Sequence, residues 1–118
     1  MQTSDEAAGE YERRLKGQPA DPAQFELTGV GCERRPDRLA VTGAVRNTGP
    51  RRRIFDAAIR VRQLDGSWAE GRRLLDWLEP GETATISHWF GRPELFAASP
   101  DCEVTVLDGP EEALVNGG

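Results

Sequence analysis

Histidine and lysine are nearly missing from this 118-residue chain, and its cysteines do not come in close pairs. His88 is the one histidine, Lys16 the one lysine, and Cys32 and Cys102 lie far apart. Zinc sites draw on clustered cysteines and histidines, so this set names no metal ligands and implies no cofactor. No apolar run approaches the roughly 18–20 residues that span a bilayer, so no direct membrane insertion is expected of this chain. Residues 1–22 are polar and show no export leader.

Motifs for catalysis are also missing. There is no G-x-S-x-G turn, and "TGPRRR" lacks the G-x-x-x-x-G-K-[ST] pattern of a phosphate loop. Ser67, Ser87 and Ser99 do not assemble with His88 into a nucleophile and base. Ser87 and His88 are strand neighbours, which point to opposite faces. Carboxylates are plentiful, but Asp65 and Asp76 fit a turn and a surface. No catalytic residue is assigned, and the chain is not expected to be an enzyme.

The net charge is −5. Residues 1–22 and 110–118 each contribute −2, which leaves the middle nearly neutral. Nucleic-acid binding needs a concentrated basic face, so a nucleic acid is not an expected partner. The three arginines Arg51, Arg52 and Arg53 are read as a solvated loop, with an anionic contact as the functional alternative.

What is present is a strand pattern. Hydrophobic residues make up 37% of the chain, and 13 glycines and 8 prolines punctuate it. The length suits one domain with a modest core. Tyr11 and Leu15 hint at a helical turn or two, which Gly17, Pro19 and Pro22 then break.

From Phe25 onward, short apolar alternations are separated by turn signals. Residues 24–33 form the first expected strand, and "RRPDR" turns the chain with Pro36 and Asp37 at its centre. Residues 38–47 follow, with Leu39, Val41, Gly43 and Val45 on one face. Asn47, Thr48, Gly49 and Pro50 stop that strand. Asn and Gly tolerate left-handed backbone angles, and Pro cannot extend a ladder.

Gly43 offers no side chain, so a large neighbour is expected to fill its space. Residues 54–64 read as a half-buried strand. Phe55, Ala57, Ile59 and Val61 point one way, and Asp56, Ala58, Arg60 and Arg62 the other. Asp65-Gly66 signals a two-residue type I′ hairpin, and residues 68–77 return antiparallel. After the Pro80-Gly81 turn, Ala84, Ile86 and His88 alternate, which makes His88 a partly buried strand residue. Residues 93–100 cross over with about one helical turn. Cys102, Val104 and Val106 share a face of the last strand.

This predicts an all-β fold, an antiparallel β-sandwich of six or seven strands over residues 23–109. Residues 1–22 and 110–118 read as flexible N- and C-terminal tails. Trp68, Trp77 and Trp89 are expected in the core, where large aromatics anchor a sandwich. The competing role is a surface. Trp68 and Trp77 flank a strand that also carries Arg72 and Arg73, and exposed aromatics beside arginines bind sugars, peptides or other proteins.

The order of these pieces resembles the FxLYD-type family of bacterial and archaeal immunoglobulin-like domains. Val41, Gly43, Val45 and Asn47 match its V-x-G-x-V-x-N strand. Asp65 and Gly66 match its D-G turn, and Leu78, Pro80, Gly81 and Glu82 its L-x-P-G-E turn. Phe25-Glu26-Leu27 echoes its opening. One subgroup of secreted or anchored actinobacterial proteins also has a cysteine before the V-x-G strand and another in the last strand, as "GVGCE" and "SPDCEVTV" do here. The resemblance implies an immunoglobulin-like sandwich outside the cytoplasm, without a catalytic motif.

The resemblance also favours a Cys32–Cys102 disulfide, and first and last strands of such folds can lie side by side. Closing so long a loop contributes about 4 kcal/mol in the chain-entropy model, and implies an oxidising compartment. The alternative is a pair of reduced thiols in a cytosolic protein. The expected function is an extracytoplasmic interaction or spacer module whose partner is another protein or a cell-envelope component. The alternatives are a cytosolic or phage-associated adaptor, or an accessory module binding a cell-wall glycan. Nothing in the sequence sets the oligomeric state.

Overall fold

The computed structural model describes residues 18–109. The expected helical turn around Tyr11 and the expected C-terminal tail lie outside these residues. Six strands form in order: β1 (Phe25–Arg34), β2 (Leu39–Asn47), β3 (Arg53–Arg62), β4 (Trp68–Leu78), β5 (Thr83–Phe90) and β6 (Cys102–Asp108). Short 3₁₀ turns occupy Pro22–Gln24 and Pro93–Leu95, the second within the expected crossover.

The strands make two antiparallel three-stranded sheets, ordered β1-β2-β5 and β4-β3-β6. The chain is therefore an all-β sandwich. Alternation builds the core between the sheets. Leu39, Val41 and Val45 of β2 and Ile86 of β5 face Phe55, Ala57, Ile59 and Val61 of β3, all fully buried. Each large apolar side chain buried this way contributes about 1.5–3 kcal/mol. Phe96 from the crossover joins this core and is 1% exposed. Ile86 stands opposite Gly43 and comes within 3.5 Å of where a Cβ would lie, so a large neighbour does fill that space.

Four details differ from the sequence expectation. First, β3 is buried on both faces, not one. Asp56 and Ala58 are 9% and 1% exposed, because β3 is the central strand and Asp56 lies between Leu74 and Leu107 in register. Second, the β3–β4 hairpin is not a two-residue type I′ loop. The Gln63 carbonyl accepts from Gly66 N–H, and the Gln63 N–H donates to Ser67 O. Only Gly66 of the pair has positive φ (89°), which is the three-residue loop with glycine in the left-handed position.

Third, Asn47 ends β2 without a left-handed backbone. It is fully buried, and its Nδ2 donates to Arg51 O (2.7 Å) and Leu78 O (2.9 Å). Its Oδ1 accepts from Gly49 N–H (3.0 Å). The asparagine is a hydrogen-bonded tie between loop and strand, as a buried amide must be. Fourth, the ordered fold begins before residue 23. Ala20 N–H donates to Val106 O (3.0 Å) and Asp108 N–H to Gln18 O (2.9 Å), so residues 18–20 lie alongside β6.

Candidate binding surface

Cys32 on β1 and Cys102 on β6 form a disulfide, with Cα atoms 6.4 Å apart and 70 residues between them in sequence. The two strands are not neighbours in one sheet. They are outer strands of opposite sheets on the same side of the sandwich, so the bond closes that lateral seam covalently.

None of the three tryptophans is in the core. Each lies beneath arginine. The Arg60 and Arg62 guanidinium carbons both sit 4.2 Å from the Trp68 ring centroid. Arg60 also pairs with Glu103 at 2.7 Å, and Arg62 donates to Gly66 O at 2.6 Å. Arg52 lies 4.9 Å over Trp77 and pairs with Glu79 at 3.3 Å. Arg38 lies 5.4 Å from Trp89 and pairs with Asp37 at 2.8 Å. Stacking of this kind contributes about 0.5–1 kcal/mol at exposed sites, and it hides part of each indole without burying it.

The residues singled out from sequence do not form one patch. Trp68 and Trp77 stand at opposite ends of β4, roughly 30 Å apart along an extended strand. Arg72 and Arg73 diverge, as strand neighbours do. Arg72 pairs with Asp56 at 3.1 Å. Burial raises the Asp56 carboxyl above its ordinary pKa, and Arg72 offsets part of that.

Arg73 is exposed and has no ion pair or hydrogen bond among the described residues. It lines a groove of about 460 Å³ where β4 and β5, outer strands of opposite sheets, run past each other. Leu74 and Asp76 share its β4 wall with Arg73, while Thr85, Ser87 and Trp89 form the β5 wall. Leu74 is 53% exposed and Trp89 55%.

Below the groove, the His88 ring packs so closely on Gly71 that a Cβ there would overlap the imidazole. His88 stacks edge-on with Phe90 at 4.9 Å. Its Nδ1 is buried without a hydrogen-bond partner among the described residues. Burial first, and then the Arg73 charge, hold its pKa below the ordinary histidine value.

Sequence alone carries the signal for Trp89. If Ala84, Ile86 and His88 face inward, Ser87 and Trp89 must face outward. Leu74 gives no such signal in the run Leu74-Leu75, because a bulge between Leu74 and Trp77 breaks the alternation just beyond it.

No family model, curated protein or solved structure matches this chain. The groove offers an aromatic ring, an aliphatic side chain, two hydroxyls and an uncommitted cation. That inventory suits recognition. Among the described residues, no group of three or more His, Cys, Asp or Glu side chains converges as a metal site.

Proposed function

We propose that this chain is an extracytoplasmic, non-enzymatic interaction or spacer module with an immunoglobulin-like sandwich of the FxLYD type. The observation that carries this reading is the Cys32–Cys102 disulfide joining the two sheets. A bond in that position persists in an oxidising compartment and is rare in the cytosol.

Topology supports the immunoglobulin-like part. β2 pairs β5 in one sheet and β3 pairs β6 in the other, as strands B–E and C–F do in immunoglobulin sandwiches. β4 then stands where an extra edge strand borders strand C. The disulfide differs from the usual B–F bridge, since it starts on the first strand. The partner is a protein or cell-envelope component that meets the exposed groove.

Protease treatment of intact cells that make the protein tests the location. Digestion of the chain without lysis, while a cytosolic marker survives, is the expected result. Protection until lysis would contradict the extracytoplasmic placement.

A further inference from the structure

We infer that the groove between β4 and β5 takes an extended peptide segment of a partner protein, with an acidic side chain on Arg73 and an apolar one between Leu74 and Trp89. This rests on the interaction-module reading and gives it a ligand class.

Three observations converge on the groove. Its walls come from the edge strands of two sheets, above the point where His88 seats on Gly71. Among the described residues, neither β4 nor β5 has a ladder partner on its outer side. Such edges present unpaired N–H and C=O groups that an extended chain satisfies. Leu74 on one wall and Trp89 on the other are both exposed, and contact with apolar side chains would remove them from water.

Charge sets the polarity of the ligand. Arg38, Arg73 and Asp76 give the lining a net +1, on a chain whose net charge is −5. The arginines over Trp68 and Trp77 already hold Glu103 and Glu79. Arg38 holds Asp37. Arg73 alone of the groove's cations has no such partner among the described residues. A guanidinium in that state selects a carboxylate, which it can hold in two hydrogen bonds.

The other occupants fit less well. A neutral sugar would leave the Arg73 guanidinium without a counter-charge. A second copy in a two-fold dimer would set this cationic patch against itself. The pocket volume is within the usual range for ligand clefts, roughly 300–1,000 Å³.

The test uses the oxidised full chain and a displayed library of random hexapeptides. The expected result is enrichment of sequences with Asp or Glu beside a large apolar residue. A soluble peptide of that kind should shift the amide resonances of residues 73–76 and 84–89 and the Trp89 indole. Arg73→Glu should weaken its binding at least tenfold, and Arg73→Lys less. Arg51→Glu, the same charge change in an exposed loop, should leave binding unchanged.

No enrichment, enrichment of basic sequences, or equal loss in Arg51→Glu would overturn the proposal. So would shifts at the same residues from an N-acetylglucosamine hexamer but no peptide, or from raising protein concentration alone. Glu111 and Glu112, with Leu114 and Val115, give the chain's own end similar chemistry. Peptide enrichment seen only after Glu111→Gln and Glu112→Gln would assign the groove to that segment instead. These outcomes leave the cellular location untouched, so failure here is distinct from failure of the extracytoplasmic reading.

Discussion

Asn47 shows how one side chain can hold a corner of the sandwich. Its amide joins the end of β2 to the Arg51 loop and to the last residue of β4. Asn47→Ala would leave the Arg51 and Leu78 carbonyls and the Gly49 N–H without their partner, at about 1–3 kcal/mol for each buried group left unsatisfied. A loss of about 3 kcal/mol with an unchanged m-value is expected in urea denaturation. Asn47→Asp is the sharper variant, because it keeps the shape and sets an oxygen against two carbonyls. It should cost at least as much near neutral pH and recover partly in acid, when the carboxyl regains a donor.

His88 gives a second residue-scale prediction. Its folded pKa lies below the unfolded value, so the unfolded chain binds the proton more readily. The contribution of neutral His88 is present above the unfolded pKa of about 6.5 and is lost as pH falls through the lower folded value. Arg73 is the cation facing it. Stability measured between pH 7.5 and 5 should decline, and the decline should flatten in His88→Phe. A decline of the same slope in that variant would remove His88 as its source.

At the scale of elements, the two lateral seams of the sandwich are closed by different means. The β1–β6 seam has a covalent bond. The β4–β5 seam has the His88 ring seated on Gly71. Gly71→Ala would force the ring aside, at about 1–3 kcal/mol for overpacking. In a His88→Ala background the same change should cost much less, and a double-mutant cycle would read that difference as coupling. Additive losses would show that the ring and the glycine do not close the seam together.

Most elements were legible in sequence because alternation and turn chemistry are local. Leu39, Val41 and Val45 declared β2, and Pro36-Asp37 and Pro80-Gly81 marked their turns. What could not be read locally was which strand lies beside which. Cys32 and Cys102 were matched, yet their strands belong to opposite sheets, a placement set by the whole topology. Residues 18–20 looked like linker because Pro19 interrupts them, whereas they join β6 through backbone groups that composition does not reveal.

The tryptophans illustrate a conflict of signals. Their size argued for the core, but strand parity put Trp89 outside, and arginine stacking holds Trp68 there. The groove itself was not legible, because Arg73 and Trp89 line it from strands of opposite sheets. Its β4 wall also runs into a bulge, between Leu74 and Trp77, that shifts the register.

For the whole molecule, the disulfide bears both on the stability of the sandwich and on the oxidising location proposed for it. It ties the first strand to the last across the sheets and closes a loop of 70 residues. In the chain-entropy model such a bond contributes about 4 kcal/mol, and native bonds in small domains about 2–5 kcal/mol. That is a large share of the about 5–15 kcal/mol that stabilises a typical domain. Reduction should therefore lower the urea midpoint markedly, and Cys32→Ser with Cys102→Ser should reproduce the loss without reductant.

The most direct measurement is intact mass after thiol alkylation in denaturant, without reductant, on protein taken from the cells that make it. The account predicts no added label and a mass two hydrogens below the reduced chain, the mark of a Cys32–Cys102 bond. Full labelling of both cysteines would contradict the covalent seam and the oxidising compartment together.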